Sequence, residues 1–314
     1  MSGIKVADIA YGRVAAPDLD RAEQFLTDFG MARSARTRTA LYMRGTDPTH
    51  HLYIAELGEP RFIGCGFYAT SEEDLHKLAR VDGASAVESI DEPGGGKRVR
   101  LSDPLGYQIE VVHGIEQPAP LPLRRQLLNY GSERLRRAGE LMRIAKGPAH
   151  VRRIGHMVLM STDLRRTVDW YRRTLGFLCS DDVYAEREDN LVGSFNRCDR
   201  GDDYVDHHVF FCIQGKKNGL NHLSFEVEDI DDVMLGHEHM RQQGYRHAWG
   251  IGRHRLGSQV YDYWYDPWNR CHEHWTDTDL LNARTPGNLA RAMVDTASQW
   301  GEAAPQEFRE HATP

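Results

Sequence analysis

The sequence lacks the features that mark membrane, secreted and disulfide-rich proteins. No apolar run approaches the roughly 18 residues that a membrane-spanning helix needs. The segment Met1 to Ile9 lacks the basic region and following apolar run of a signal peptide. Cysteine is scarce: the chain has 5 cysteines, which are scattered and form no Cys-x-x-Cys pair. This argues against a disulfide framework or a thiolate zinc site. We therefore expect a cytoplasmic protein with reduced thiols.

Charge of one sign is not concentrated either. The 39 basic and 46 acidic residues are interleaved and leave a formal net charge of −7. Because binding to nucleic acid needs a concentrated basic face, nucleic acid is not expected as a partner. Histidine, in contrast, is plentiful: the chain has 16, and its 314 residues are enough for two domains. The histidines are therefore the first candidates for chemistry.

The two halves of the chain resemble each other. In each half a short apolar strand ends at an Asp-Leu turn and leads into a helix that stops at a glycine, Gly30 or Gly176. A second strand leading into a helix, and a closing pair of strands around an Asp-Pro turn, also recur. The matching segments are 8–19 and 153–164, 65–75 and 223–233, and 102–110 and 265–273.

This repeat predicts an α+β fold of four βαβββ modules, two in each domain. We expect a first domain over residues 1–117, a linker with a helix over 118–149, a second domain over 150–281, and a helix and tail over 282–314. The proline-rich run Gln117 to Pro122 marks the boundary. The linker helix is expected from Leu123 to Ala145 and the last helix from Asn288 to Trp300. We expect the tail to lie on the surface or to bridge subunits.

Three residues of the second half are candidate metal ligands. His156, His222 and Glu273 lie on three strands of the repeat, which would place them on one concave face of a shared sheet. Two imidazoles and one carboxylate leave coordination positions free and suit a non-haem Fe(II) ion that reacts with O2. The matching residues of the first half are Tyr11, Gly64 and Glu110, so we expect the first domain to bind no metal. His150 is a reserve ligand.

Other histidines and tryptophans are expected to be structural. His237 and His239 lie in one predicted helix and are expected to be solvated. His272 and His274 flank Glu273 and should point to the opposite face of their strand. Trp249, Trp264 and Trp268 lie close to the candidate site, and for each we favour a core position over a role in shaping a pocket.

The segment from Gly252 to Glu273 resembles the signature of the type I extradiol catechol dioxygenases of the vicinal oxygen chelate superfamily. His254, Tyr263 and Glu273 follow in the order and spacing of that signature. Two residues depart from it, Asn269 in place of glycine or proline and Asp262 in place of an apolar residue. The resemblance covers about residues 5 to 280. It implies two vicinal-oxygen-chelate domains, of the glyoxalase/bleomycin-resistance type, with metal in the second.

The resemblance also implies roles for individual residues. His207 is expected to be the acid–base histidine of the active site, with the adjacent His208 as its rival, because strand alternation lets only one of them face the cavity. His254 and Tyr263 are expected to hydrogen-bond the substrate oxygens. The implied cofactor is Fe(II), with Mn(II) as an alternative that the same ligands accept. The implied partners are a catechol-type aromatic substrate and O2, and we expect a homo-oligomer.

The implied activity is cleavage of the aromatic ring beside the diol, with both atoms of O2 inserted and a muconic semialdehyde-type product. Two alternatives keep the same fold. One is another metal-dependent enzyme of the superfamily, such as an isomerase, epimerase or glutathione-dependent lyase. The other is a non-enzymatic protein that binds a small molecule. Bicyclic, alkyl-substituted and carboxylated catechols all remain open as substrates.

Overall fold

The first half of the chain forms eight strands and two helices. The computed structural model describes residues 4–123 and 127–314. The helices of the first half are α1 (Leu19–Asp28) and α2 (Glu72–Leu78). Its strands are β1 (Val6–Ala16), β2 (Ala32–Arg36), β3 (Ala40–Arg44), β4 (Tyr53–Leu57), β5 (Arg61–Ala69), β6 (Glu88–Ser89), β7 (Lys97–Ser102) and β8 (Gln108–His113).

The second half repeats this order and adds short strands and a helix at its end. Its helices are α3 (Leu164–Leu175), α4 (Ile230–Gln242) and α5 (Gln306–Arg309). Its strands are β9 (Val151–Ser161), β10 (Leu178–Tyr184), β11 (Leu191–Arg197), β12 (Val205–Asp206), β13 (Phe210–Gln214), β14 (Gly219–Val227), β15 (Arg246–His254), β16 (Val260–Tyr265), β17 (Cys271–Thr276), β18 (Leu280–Leu281), β19 (Asn288–Arg291) and β20 (Ser298–Trp300).

Each half builds one large mixed sheet. The first sheet has the strand order β2-β3-β4-β1-β5-β8-β7-β6, and the second has the order β19-β10-β11-β13-β9-β14-β17-β16-β15-β20. In both sheets the opening strands of two modules pair antiparallel at the centre, as β1 with β5 and as β9 with β14. The prediction of four βαβββ modules in two domains is confirmed. The exact domain boundaries stay a prediction.

The helix ends follow the local signals of the sequence. The Asp18 carboxylate accepts hydrogen bonds from two backbone N–H groups at the start of α1, and the Asp163 carboxylate accepts one at the start of α3, from Arg166. Gly176 ends α3 with a φ of 77°, in the left-handed region that glycine adopts without strain. These caps fix where each helix begins to pack against its sheet.

The two halves share one apolar core. His272 and His274 point away from Glu273, as strand alternation predicts, and both face the first half. The His274 ring stacks on Phe29 with 3.7 Å between ring centroids, and its Nε2 donates to the Phe29 carbonyl at 2.6 Å. His272 Nε2 lies 3.1 Å from the hydroxyl of Tyr53. The first domain therefore forms the packing surface behind the strand that carries Glu273.

The two helices predicted outside the modules are wrong where the structure describes them. In the linker, residues 127–145 form turns and irregular chain, and residues 124–126 of that prediction lie outside the described residues. Leu135 and Leu141 are 70% and 71% exposed, so the segment has no apolar surface to pack on, and an isolated helix is only marginally stable in water.

The predicted C-terminal helix from Asn288 to Trp300 is replaced by two edge strands. β19 adds in parallel to β10, and β20 adds antiparallel to β15. The exposed edges of the sheet offer unpaired backbone groups, and pairing with them outweighs the weak helical periodicity of the segment. The only α-helix of the described tail is the short α5.

Candidate metal centre and its cavity

Three adjacent strands bring the candidate ligands together. β9, β14 and β17 are neighbours in the second sheet. Ser224 of β14 pairs with His156 on one side and with Glu273 on the other. His222 lies two residues before Ser224 and therefore on the same face of the strand. The sheet thus positions all three candidate ligands without help from a loop.

The donor atoms of these residues lie at ligand spacing. His156 Nε2 is 3.0 Å from Glu273 Oε2, His222 Nε2 is 3.4 Å from the same oxygen, and the two Nε2 atoms are 3.4 Å apart. Donors that each lie ~2.1 Å from one ion, at right angles, are about 3.0 Å apart. The three residues therefore fit one metal ion on one side and leave its other side open to the cavity.

The hydrogen bonds of His222 leave a lone pair at its metal-facing nitrogen. The Asn221 amide nitrogen donates to the carbonyls of Phe308 and His311, at 3.2 and 2.9 Å, so the Asn221 oxygen is the acceptor toward His222. His222 Nδ1 lies 2.7 Å from that oxygen and must donate to it. In the neutral ring Nε2 then has a lone pair aimed at a carboxylate, an arrangement that a cation stabilises.

The electrostatics of Glu273 agree with a cation site. Burial raises the pKa of Glu273, but the interactions with the neighbouring rings of His156, His222 and His254 outweigh burial and hold the pKa well below its usual range. Burial lowers the pKa of His156. The ligand set is thus an ionised carboxylate and an unprotonated His156 imidazole, the forms that bind metal. Within the described chain, Glu273 Oε1 has no hydrogen-bond partner.

The equivalent place in the first domain is closed by arginine. Tyr11 stands where His156 stands, and its hydroxyl donates to the Glu110 carboxylate at 2.6 Å. Arg13 and Arg98 pair with the same carboxylate at 3.1 and 3.0 Å. Gly64 supplies no side chain in place of His222. Two guanidinium groups thus neutralise Glu110, whereas no arginine among the described residues pairs with Glu273, which faces histidines and the hydroxyl of Ser224. That the first domain binds no metal stays a prediction.

His254 and Tyr263 lie beside the open side of the triad. The Tyr263 hydroxyl is 2.9 Å from His254 Nε2, and His254 Nε2 is 3.6 Å from Glu273 Oε1. Burial, followed by the nearby charge of Glu273, raises the pKa of Tyr263 well above its usual value, so the phenol stays protonated at neutral pH. The pair offers a proton donor and a proton acceptor next to the position where a metal-bound substrate would lie.

Of the two adjacent histidines, His208 faces the cavity and His207 faces away from it. The His208 ring lies over His156, with 4.1 Å between ring centroids, and lines the cavity. His207 Nε2 lies 2.6 Å from Asp181 Oδ2, and its Nδ1 lies 3.1 Å from His208 Nδ1. Both residues lie in the bend between β12 and β13, where the His207 ring turns toward Asp181 and the His208 ring toward His156. In the structure His207, the residue chosen from the sequence as the acid–base histidine, is therefore not the one that faces the cavity.

The remaining histidines lie elsewhere. The reserve ligand His150 binds Asp232, with Nδ1 3.0 Å from Oδ1, and takes no part in the triad. His237 and His239 were expected to be solvated, but only 18% and 17% of their side chains are exposed, and both lie within hydrogen-bond distance of a carboxylate, Asp262 and Asp28 respectively. The sequence expectation was wrong because buried carboxylates from other segments, which spacing does not reveal, face both sides of their helix.

A cavity of about 450 Å³ opens in front of the triad. Its wall is mainly apolar, with side chains from five strands of the second sheet and from α5: Val158, Val183, Val192, Phe195, Phe211, Ile213, Trp249 and Phe308. Trp249 thus lines the cavity, whereas Trp264 is fully buried in the core and Trp268 packs against Arg270. Gln259 also lines the cavity and is 1% exposed, and neither amide atom has a hydrogen-bond partner among the described residues.

The C-terminal segment forms part of this cavity, which the sequence did not suggest. Residues 292–309 contribute ten of the lining side chains or backbone positions, among them Met293 and Phe308. The Phe308 ring contacts Tyr263, with 4.6 Å between centroids, and Asn221 binds the carbonyl of Phe308. The tail is therefore part of the site and not a surface extension. Its short apolar stretches gave no signal of this contact.

Comparison with known proteins shows what this chain is similar to. Residues 153–269 match the model of the Glyoxalase/Bleomycin resistance protein/Dioxygenase superfamily, so the chain carries a domain of that superfamily. Metapyrocatechase 2 of Cupriavidus necator is 28% identical over 308 residues, which cover 96% of this chain and 91% of the relative.

Solved structures show the same fold over the whole chain. Homoprotocatechuate 2,3-dioxygenase from Brevibacterium fuscum, in complex with 3,4-dihydroxyphenylacetate, superposes with a TM-score of 0.81 at 19% identity, covering 99% of this chain and 94% of that one. The Mn(II)-bound glyoxalase from Novosphingobium aromaticivorans gives a TM-score of 0.80 at 23% identity, covering 100% of this chain and 97% of that one. Because two chemistries share the fold, the residues of the site must decide between them. In the described part of the chain, no helix is long and apolar enough to cross a membrane.

Proposed function

We propose that this protein is an extradiol ring-cleaving dioxygenase. It inserts both atoms of O2 into a catechol-type aromatic substrate beside the diol and gives a muconic semialdehyde-type product. The observation that carries the proposal is the triad of His156, His222 and Glu273 at the closed end of an apolar cavity, with His208, His254 and Tyr263 around its open side. The similarity to metapyrocatechase over nearly the whole chain supports the same reaction class.

We propose Fe(II) as the metal, held by His156, His222 and Glu273, with Mn(II) as the alternative. Two imidazoles and one carboxylate on one side of the ion form the ligand set of non-haem Fe(II) oxygenases. When bound there, Fe(II) would supply open coordination positions for the catechol and O2 and a route for electrons between them. Ser224 donates a hydrogen bond to Glu273 Oε2, and Asn221 holds the His222 ring, so both ligands have a supporting shell.

Tyr263 and His254 bind the substrate oxygens in this proposal. A catechol at the open side of the triad places its hydroxyls next to the Tyr263 phenol and His254 Nε2, which lie 2.9 Å apart. The protonated Tyr263 donates a hydrogen bond to a substrate oxygen, and His254 accepts a proton from a hydroxyl group. The pair therefore fixes the ring orientation and removes one proton from the diol.

His208, in place of the sequence-based choice His207, is the acid–base residue of this proposal. Asp181 accepts a hydrogen bond from His207 Nε2 at 2.6 Å, which leaves His207 Nδ1 as an acceptor for the Nδ1–H of His208. This fixes the neutral His208 tautomer with its lone pair on Nε2. His208 can then take up a proton at Nε2 and return it to an oxygen atom as the O–O bond breaks.

The cavity favours a catechol with an apolar substituent. Its volume of about 450 Å³ exceeds that of a single substituted ring, and its wall is mainly aliphatic and aromatic. The amide of Gln259 has no partner among the described residues and can make a hydrogen bond with a ligand at this wall, because a buried amide without a partner is costly.

We also expect the protein to act in the cytoplasm as a homo-oligomer. Size-exclusion chromatography with light scattering tests the oligomeric state.

A substrate panel under controlled oxygen tests the function. The protein is reconstituted anaerobically with Fe(II), and catechol, alkylcatechols, 2,3-dihydroxybiphenyl and a carboxylated catechol are added before and after air. The proposal predicts a yellow ring-opened product only after O2 enters, and fastest for an apolar substituent. Turnover without O2, above all with Ni(II) or Co(II), would instead indicate an isomerase or lyase of the same superfamily. Metal binding without turnover of any kind would indicate a binding protein.

A further inference from the structure

A second group of potential ligands lies on the back of the catalytic sheet. Asp262 precedes Tyr263 in β16, and successive side chains of a strand point to opposite faces, so Asp262 faces α4 and not the cavity. His237 of α4 and His247 of β15 meet it there. Among the described residues, histidine, cysteine, aspartate and glutamate side chains form two clusters of three whose potential donor atoms all lie within 4.8 Å of one another. One cluster is the triad, and the other is His237, His247 and Asp262.

The distances in this group resemble those of the triad. His237 Nδ1 is 3.1 Å from Asp262 Oδ2, and His247 Nε2 is 2.7 Å from Oδ1. Tetrahedral donors that each lie ~2.0 Å from Zn(II) are about 3.3 Å apart, so shifts of a few tenths of an ångström would admit the ion. Trp264 Nε1 donates to Asp262 Oδ2 at 2.6 Å, the kind of supporting hydrogen bond that ligating carboxylates have.

The first domain shows that the fold itself needs no polar group here. The position equivalent to Asp262 is Val99, since β7 and β16 correspond residue by residue, and Val99 is fully buried in the apolar core. Asp262 is also 0% exposed, so the second domain buries an acidic group where its copy has a methyl-bearing side chain. A buried carboxylate costs free energy unless it is paired or bound to a metal.

The group is open to solvent on one side. The side chains of His237 and His247 are 18% and 32% exposed, which gives an ion a path of entry and leaves a position for water. We propose that His237, His247 and Asp262 form a second metal site, which binds Zn(II) or a similar divalent transition metal ion. The ion would join α4 to β15 and β16, the strands that carry His254 and Tyr263. This proposal does not depend on the proposed function.

Metal stoichiometry of the full chain tests the second site. Metal is removed with a chelator, Co(II) or Zn(II) is added, and bound metal is measured by equilibrium dialysis and mass spectrometry. The wild type is expected to bind two ions per chain, H247Q and H156A one each, and the double variant none. H237Q repeats the test from the helix, and H76Q, an exposed histidine of α2, is the matched control with two. Circular dichroism checks that each variant is folded.

Each outcome bears on one site. The second site is contradicted if wild type and H247Q bind the same number of ions, whether one or two per chain, because His247 would then not be a ligand. Two ions in wild type but also in H156A would contradict the triad and leave the second site standing. Co(II) at the second site should give the visible absorption bands of a four-coordinate ion, bound by two nitrogens, one carboxylate oxygen and one water, and H237Q and H247Q should lack these bands. Zn(II) at ~100 times its dissociation constant should raise the unfolding temperature by about 5 °C in wild type relative to H247Q.

Discussion

At the scale of the residue, two buried glutamates show what makes one half of the chain chemically active. Glu273 and Glu110 occupy equivalent strand positions and are 0% and 1% exposed. Arg13 and Arg98 neutralise Glu110, whereas His156 and His222 face Glu273 with their ring nitrogens. A guanidinium is a permanent cation that fills its place, while two imidazoles leave room for an external one.

Exchanging each glutamate for glutamine separates these two cases. E273Q removes the anionic ligand, so metal affinity is expected to fall more than ~100-fold and ring cleavage to be lost. E110Q is the matched control: it should keep the bound metal but lose about 2 kcal/mol of unfolding free energy, because Arg13 and Arg98 lose one charged acceptor while Glu92 still pairs with both. Metal analysis and urea unfolding measure the two effects. Loss of metal in E110Q, or its retention in E273Q, would contradict the assignment.

The second prediction at this scale concerns the two adjacent histidines. H208Q should lower kcat by at least ~100-fold with metal content and KM nearly unchanged, because general acid–base catalysis contributes that much. H207Q and D181N should lower kcat by about 10-fold, because they no longer fix the tautomer of His208 but leave its ring in the cavity. D181E, which keeps the carboxylate, should recover part of that loss. Equal losses in H207Q and H208Q would show that His207 itself takes part in proton transfer.

At the scale of the element, short edge strands turn the C-terminal segment into a wall of the active site. β19 and β20 attach to opposite ends of the second sheet, and the chain between and after them covers the cavity. The backbone of Leu220 also pairs with Thr313, next to the strand position of His222. The segment thus links substrate access to the support of a metal ligand.

Phe308 tests this element. Its ring contacts Tyr263 and Trp249, with 4.6 and 5.1 Å between centroids. F308A should raise KM for an alkylcatechol about 10-fold, which corresponds to the ~1.5 kcal/mol of a partly buried aromatic ring, and leave metal content unchanged. L289A, which removes an exposed side chain of the same segment, is the control. An unchanged KM in F308A would mean that the tail does not contact bound substrate.

The repeat also explains which elements the sequence could predict. Strand and helix positions in the four modules follow from patterns that occur twice in the sequence. The strands that carry the triad also align with strands of the first half without a gap, so each ligand could be compared with its counterpart, Tyr11, Gly64 or Glu110. The linker and the tail have no second copy and no strong period. Their structure depends on which sheet edge or surface is left open, and that is a property of the folded protein.

At the scale of the whole molecule, buried histidines connect the two domains and make stability depend on pH. Burial lowers the pKa of His272 to about 4, and His274, at the same interface, is also lowered by burial. In the unfolded chain each histidine titrates near 6.5. Below that pH the unfolded state binds protons that the folded state does not bind. The contribution of these histidines to the unfolding free energy is therefore complete above pH 6.5 and is lost as the pH falls toward 4.

This sign gives a prediction for unfolding. Each such histidine should lower the unfolding free energy by about 1.4 kcal/mol per pH unit between roughly pH 6 and pH 4. The depressed carboxylates Asp181 and Asp262 act in the same direction at lower pH. Urea unfolding at several pH values measures the slope. H272Q should reduce the slope, and a stability that is flat from about pH 7 to about pH 4 would contradict buried, neutral histidines at the interface.

The most direct test of the whole account is isotope labelling of the product. Fe(II)-loaded wild-type protein is given an apolar catechol under ¹⁸O2, and the product is analysed by mass spectrometry, with H156A as the metal-ligand control. We expect a ring-opened product that carries both atoms of one ¹⁸O2 molecule, and no product from H156A. A product without label, or one formed equally well without O2 or by H156A, would contradict it.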